Sequence, residues 1–267
     1  MLVVTDALID RMLGVEIANL QSRLQHYAAV IGNPSQVSFH EFGGATAFVA
    51  ARLPVRFYNS VLGVGPETIE HLDAICTLYD AYGVKPSLEI VPSRMSEELG
   101  KELARRDFAM LEFHAGLARP LDEHDTSVVL PEGVTVEVTQ DIEQFLDVYL
   151  EGWGHTGEAA TEAKVSMRGW TKNPSWTLYL ARLEGEPAGA GVLDLRGDTA
   201  MLGSASTRPS CRGRRVQQAL IDRRRADAAG AGATLVVSGA YFGTTSMRNQ
   251  LRSGFSMAFT RGIWVKA

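Results

Sequence analysis

The stretch Ser204-Ala205-Ser206-Thr207-Arg208-Pro209-Ser210-Cys211-Arg212-Gly213-Arg214-Arg215-Val216-Gln217-Gln218-Ala219-Leu220-Ile221 decides how the chain is read. A run of small residues with strand character ends at Pro209. A short loop follows with Arg212, Gly213, Arg214 and Arg215, and helical apolar spacing begins at Val216 with Ala219, Leu220 and Ile221. A strand, a Gly/Arg turn and a helix in that order make an anion site. The first backbone N–H groups of a helix lack partners, and its dipole adds positive potential there. Three arginines add full charges, and a diphosphate suits such a cup. A basic surface loop before an ordinary helix is the competing reading.

Outward from this stretch, the pattern predicts a strand at 134–138, helices at 142–151 and 159–170, and strands at 176–183, 188–196 and 200–207. The helix at 216–230, a strand at 234–238, a helix at 244–252 and a strand at 255–266 complete the second half. Gly185-Glu186-Pro187 and Gly197-Asp198 make the hairpin turns. The loop Gly152-Trp153-Gly154-His155-Thr156-Gly157 separates the two early helices.

This element order, the arginine loop and the closing turn Ser253-Gly254-Phe255 together resemble the GNAT N-acetyltransferase superfamily over residues 134–267. Its acyl-CoA-binding pattern is Arg/Gln-x-x-Gly-x-Gly/Ala. Arg212 matches the first position and Gly213 the common Arg-Gly form. Arg215 stands where the first motif glycine belongs, and Gln217 stands at the Gly/Ala position. The resemblance implies an α/β (α+β) fold with a mixed, mostly antiparallel central sheet flanked by helices. It also implies acetyl-CoA as co-substrate. Ala205, Ser206 and Thr207 would bind the pantetheine arm through their backbone, in a V-shaped opening between splayed parallel strands. Arg212 and the turn Gly213, Arg214, Arg215, Val216 and Gln217 would hold the pyrophosphate, with Ser246 and Asn249 near the far end of the arm. Helix capping is the rival role for Ser246, and a solvated helix face for Asn249.

Transfer from a thioester to an amine needs a neutral amine, a polarised carbonyl and a proton for the leaving thiolate. The family often carries a tyrosine four residues before the Gly-Phe turn as proton donor. Here that position is Gln250, which cannot serve, and Tyr241 is the substitute candidate. A buried tyrosine bonded to backbone is the alternative for Tyr241. His155 and Glu158, in the loop that forms the acceptor wall in the family, are the candidate amine-side residues; ordinary surface polarity is their alternative. Trp153, Trp170 and Trp176 either line that pocket or belong to the core. The implied activity is transfer of an acetyl group to the primary amine of a small molecule by direct attack on the thioester. Gln250 and the missing motif glycines also admit a non-catalytic CoA-binding sensor or scaffold of the same fold.

The first half reads as a helix at 6–30, strands at 37–42, 45–53 and 55–62, a helix at 66–82, a strand at 87–91, a helix at 96–105 and a strand at 108–117. Leu103-Ala104-Arg105-Arg106-Asp107-Phe108-Ala109-Met110 falls on Gln250-Leu251-Arg252-Ser253-Gly254-Phe255-Ser256-Met257 at an offset of 147 residues. The same offset sets Gly83 on Gly230, Leu88 on Leu235 and Ile90 on Val237. A tandem repeat accounts for this, as do two α/β units with similar punctuation. The repeat puts Gly65, Pro66, Glu67, Thr68 and Glu70 at the positions of Arg212, Gly213, Arg214, Arg215 and Gln217. Carboxylates at a helix start satisfy its dipole and repel phosphate. The expected organisation is a degenerate GNAT-like domain at 1–120, a polar proline-bounded linker at 121–133 with a short strand at 128–130, and a cofactor-binding domain at 134–267.

A hydrophobic content of 45% with 21% charged residues describes a globular chain. A net charge of −5 argues against general nucleic-acid binding, so the arginine loop is a local patch. The N-terminal Met1-Leu2-Val3-Val4-Thr5-Asp6 lacks the order of a secretory leader, and no apolar run reaches the ~20 residues that span a bilayer. Two cysteines, Cys76 and Cys211, give no disulfide framework, and a reducing cytoplasm is expected. The six histidines have no metal-ligand spacing. The expected partner is a small-molecule amine, and the oligomeric state is left open.

Overall fold

The computed structural model describes residues 2–53 and 55–266. Its first elements are α1 (Asp6–Ala28), β1 (Val37–Phe42), β2 (Ala45–Ala50), β3 (Ser60–Leu62), α2 (Leu72–Ala81), β4 (Ser87–Ile90), α3 (Glu97–Arg105) and β5 (Phe108–Pro120). Then follow β6 (Val134–Val138), α4 (Ile142–Gly152), α5 (Gly157–Met167), β7 (Trp176–Leu183), β8 (Glu186–Arg196), β9 (Thr199–Thr207), α6 (Val216–Gly230), β10 (Leu235–Tyr241), α7 (Thr245–Arg252) and β11 (Ser256–Lys266). From β6 onward this is the order expected from the sequence.

Local chemistry sets most boundaries. Side-chain oxygens of Thr5, Ser96, Asp141 and Thr244 accept from backbone N–H groups in the first turns of α1, α3, α4 and α7. The β1–β2 and β7–β8 hairpins turn on residues in the left-handed region, Gly43-Gly44 and Glu184-Gly185. Such turns match the twist of the flanking strands.

Two expectations fail. Residues 55–62 are not one strand: a 3-10 turn at Arg56–Tyr58 precedes β3. The cause is Asn59, whose amide accepts from Ala50 N at 2.9 Å and donates to Ala50 O at 3.3 Å, replacing a strand partner with a side chain. Residues 128–130 form no strand either, and Val129 is 93% exposed. The order in that connection comes instead from a 3-10 turn at Glu123–Thr126.

The chain forms two compact units. Val4–Gly116, Ala240–Phe242 and Ala258–Ala267 make one, called N-terminal below; Leu117–Gly239 and Gly243–Met257 make up nearly all of the other, called C-terminal. The N-terminal unit contains the strand order β1-β2-β3-β4-β11, antiparallel except for β3–β4. The C-terminal unit contains β10-β9-β8-β7-β6, antiparallel except for β9–β10. Its core joins Phe145 and Leu146 of α4, Leu180 and Val192 of the sheet and Leu220 of α6, all fully buried. Helix α6 lies directly on glycines of β8. A Cβ added at Gly189 would come 2.7 Å from Val216 Cγ1 and 3.0 Å from Leu220 Cδ1. Among the described residues no helix is long and apolar enough to cross a membrane.

Candidate cofactor site

The site begins where β9 leaves its neighbours. The parallel ladder to β10 covers Leu235↔Thr199, Val236↔Ala200 and Val237↔Met201 and then stops, although β9 continues to Thr207 and β10 to Tyr241. On the other edge, Val192 opposes Gly203 and Ala190 opposes Ser206, so Ser204 and Ala205 both face Gly191. That is a β-bulge, with Ser204 at φ +44°. A bulge bends and twists its strand. Here it offsets the β8 pairing by one residue, so that Ser206 and Thr207 rejoin β8 at Ala190 and Gly189 while their other edge has no β10 partner among the described residues.

Past the bulge, β9 is fastened to α4. Ser206 Oγ donates to Tyr149 O at 2.9 Å, and Arg212 Nη2 donates to Gly152 O at 2.8 Å. Both satisfy carbonyls near a helix C-terminus that the helix itself leaves open. Gly152 permits the approach, since a Cβ there would sit 2.5 Å from Ser206 Oγ and 3.1 Å from Thr207 N. Gly152→Ala is therefore expected to push α4 off β9 and cost about 1–3 kcal/mol in chemical denaturation. A variant as stable as the parent would show that this contact yields freely.

The loop is a 3-10 turn at Pro209–Cys211, then Gly213 at φ +76° and Arg215 at φ +62°, ψ +11°. Arg215 thus holds the left-handed conformation that glycine adopts without cost, at the very position where the family pattern has glycine. Helix α6 has no side-chain cap. Ala219 N is the first amide of the helix to find an acceptor, Arg215 O at 3.0 Å; among the described residues those of Val216, Gln217 and Gln218 have none. Amides left open in this way at a helix start are the kind of group that receives an anion.

The three arginines are not equivalent. Arg212 is committed to Gly152 O and, at 3.4 Å, to Thr207 O. Arg214 pairs with Glu184 at 2.8 Å, both exposed, an interaction worth little in water. Arg215 is exposed and has no ion-pair partner among the described residues, so its charge alone is uncommitted.

Three predicted residues meet in one cluster. Gln217 Nε2 donates to Ser246 Oγ at 3.1 Å, and Asn249 Nδ2 donates to Gln217 Oε1 at 2.7 Å. Thr244 caps α7, which removes that alternative for Ser246. Asn249 is half-buried and bonded rather than solvated. Gln250 is buried one turn beyond Ser246, with Nε2 3.5 Å from Ser246 Oγ, and brings no hydroxyl.

The remaining candidates lie elsewhere. Tyr241 belongs to the N-terminal unit, half-exposed, with its ring edge-on to His114 at 5.3 Å. It is therefore not the buried tyrosine considered as an alternative. Burial, reinforced by Arg261, pushes the His114 imidazole down to about 3, so it is neutral at physiological pH. His155 and Glu158 are both exposed between α4 and α5. His155 lines a cavity of about 380 Å³ with Asp147, Glu151, Lys164 and Arg208; Glu158 does not. The cavity's charges pair within its wall, Lys164 with Asp147 at 2.6 Å and Arg208 with Glu151 at 2.9 Å. Trp170 and Trp176 are core, stacked edge-to-face at 5.2 Å, whereas Trp153 is exposed.

In the N-terminal unit the turn at Gly65–Thr68 is closed on itself. Gly65 N donates to Thr68 Oγ1 at 3.2 Å and Thr68 N to Gly65 O at 3.0 Å. Arg94 donates to Gly63 O at 3.2 Å and lies against Gly65.

No family model matches the sequence, and no curated protein does either. Solved structures match over nearly the whole chain. A GCN5-related N-acetyltransferase from Kribbella flavida aligns with TM-score 0.66 and 16% identity, over 96% of this chain and 95% of that one. One from Sphaerobacter thermophilus aligns with TM-score 0.64 and 16% identity, over 92% and 84%. A tandem GNAT protein from the clavulanic acid biosynthesis pathway aligns with TM-score 0.60 and 16% identity, over 99% and 97%. The fold is the GNAT fold: mixed α/β, with a largely antiparallel sheet flanked by helices.

Proposed function

We propose that this chain is an acetyl-CoA-dependent N-acetyltransferase acting on the primary amine of a small molecule by direct attack on the thioester. The observation that carries this reading is the unanswered amide cup at the start of α6, set beside a bulged strand whose parallel ladder stops at Met201. Acetyl-CoA supplies the activated acyl group. The chain binds and orients it: the amides of residues 213–217 and Arg215 take the diphosphate. The backbone of Ala205, Ser206 and Thr207 takes the arm, with Gln217, Ser246 and Asn249 forming a polar wall. Arg212 holds the loop to α4, and Arg214 adds positive potential. His155 is the candidate on the amine side, Glu158 being the weaker one because it lies off the cavity.

In this reading residues 1–120 form a degenerate copy that has lost the cofactor. The self-capped Gly65–Thr68 turn and Glu67 support it, because the amides of Gly65 and Thr68 are already used and a carboxylate stands beside them. Residues 121–133 are the linker and 134–267 carry the cofactor site. Cys76 and Cys211 are free thiols, which fits a reducing cytoplasm.

Isothermal titration with acetyl-CoA tests the reading. Saturable heat with a rise in Tm at saturating ligand is expected; neither effect would refute it. A second reading, a CoA-binding sensor or scaffold, is favoured by Gln250 standing where a proton-donating tyrosine would. Thiol release with a mixed library of small amines separates the two, since a sensor binds without turnover.

A further inference from the structure

We infer that Arg224, in the middle of α6 and away from the loop, is a positioning residue that fixes the acyl-CoA-binding segment of β9; this rests on the acetyl-CoA reading above. Arg224 is 1% exposed. Its neighbours Arg223 and Arg225 pair with Asp227 and Asp125, yet among the described residues Arg224 has no carboxylate partner. It spends its donors on backbone. Nε reaches Leu220 O at 2.9 Å, and Nη1 alone reaches both Val192 O at 2.9 Å and Gly203 O at 3.1 Å. Val192 and Gly203 are the last residues paired across β8 and β9 before the bulge. One guanidinium nitrogen therefore staples the two strands where their ladder breaks.

That is where β9 most needs a staple. Its ladder to β10 has ended at Met201, and its ladder to β8 skips Ser204 and Ala205. Leu202 is held from the β10 side by Ser238 Oγ at 3.0 Å. Gly203 is the next residue, and the next hold is Arg224. Gly191, facing the bulge, leaves space for the guanidinium: a Cβ there would lie 2.9 Å from Arg224 Cζ and 3.0 Å from Nη1. Burying a charge without a counter-ion is costly, and a methionine would fill the same volume without that cost. A guanidinium at this site is explained by the carbonyls it orders. With Arg224 in place, residues 205–207 present their backbone at one fixed angle. Without it, the two carbonyls lose the donor that joins them, the bulge takes another geometry, and the arm loses its track while the diphosphate cup is untouched.

The test separates arm from diphosphate. Acetyl-CoA and adenosine 3′,5′-diphosphate, which lacks the arm, are titrated into the full chain and into Arg224→Met, Gly191→Ala and the double variant. Expected is a loss of about tenfold or more in acetyl-CoA affinity, the worth of one or two backbone-ordering hydrogen bonds. The nucleotide's affinity should be unchanged. Gly191→Ala, which displaces the guanidinium without removing it, should act in the same direction and add nothing to Arg224→Met, because both break one contact. Should Arg224→Met not fold, Gly191→Ala and Arg224→Lys carry the same comparison. A parent that binds, with variants that bind acetyl-CoA equally well, overturns the inference alone. Equal weakening of both ligands assigns Arg224 to general stability and overturns it as well. A parent that binds neither ligand overturns the acetyl-CoA reading itself.

Discussion

Replacing Arg212 and Arg215 together by glutamate is expected to abolish acetyl-CoA binding and leave the fold standing. A hydrogen bond or close contact to a charged group is worth about 1.5–3 kcal/mol, and each reversal also places a repelling carboxylate beside the diphosphate. The combined loss is on the order of 100-fold or more in Kd. The helix should tolerate the change at its N-cap, Arg215, since a carboxylate at a helix N-terminus favours its dipole. The single variants should differ. Arg215→Glu removes an uncommitted charge and should account for most of the lost affinity, with little change in Tm. Arg212→Glu also releases Gly152 O and Thr207 O, and should lower Tm as well. Arg215→Gly is the backbone control: its φ of +62° suits glycine, so the turn persists while the charge is gone. Titration and thermal unfolding on the same samples provide the check. Unchanged affinity in the double variant would place the phosphate site elsewhere.

The element order of the second half and the strand–loop–helix cup were legible because both rest on local rules: apolar period, turn residues and caps. Gln217 was read at the diphosphate and Ser246 and Asn249 near the far end of the arm, yet the three meet by direct hydrogen bonds. What could not be read was which charges go inside. Arg223-Arg224-Arg225 is three like charges in a row, with no mark of which one is buried. Consecutive helical residues point about 100° apart, however, so the three cannot share one environment. A signal was present in Gly189-Ala190-Gly191 on β8. Two glycines two apart on one face mark a close approach, and Val216, Leu220 and Arg224, spaced four apart on α6, are what approaches. The unequal roles of the loop arginines were hidden for another reason: Arg212 is spent on Gly152, 60 positions away, and no periodicity reports that contact. The expected strand at 55–62 failed on a single side chain, Asn59, whose amide can imitate a strand partner.

Arg261→Met is the second large effect expected, and it lies in the N-terminal unit. Arg261 is 2% exposed, 2.5 Å from Glu16 Oε2 and 3.2 Å from Glu89 Oε2, and its guanidinium lies 5.4 Å from the Phe259 ring centre. Removing the cation leaves two buried carboxylates without their shared partner. Breaking a buried ion pair in this way costs about 3–5 kcal/mol, to be read as a lowered denaturation midpoint. Replacing the whole set, Glu16→Gln with Glu89→Gln and Arg261→Met, should recover much of that loss, because no buried charge is then left over. The carboxylates are also unequal to the task of sharing one cation. Burial pushes the Glu89 carboxyl above its ordinary range, although Arg261 pulls it down. A carboxyl whose folded value is raised contributes stability that is present below its unfolded pKa and lost as pH rises through the folded one. Parent stability should therefore decline with rising pH above the usual carboxylate range. Glu89→Gln, which cannot ionise, should flatten that slope. Denaturation of the four proteins across mildly acidic to neutral pH measures both effects. An Arg261→Met protein within about 1 kcal/mol of the parent would mean that water reaches Glu16 and Glu89 and that the triad is not the sealed charge cluster its burial describes.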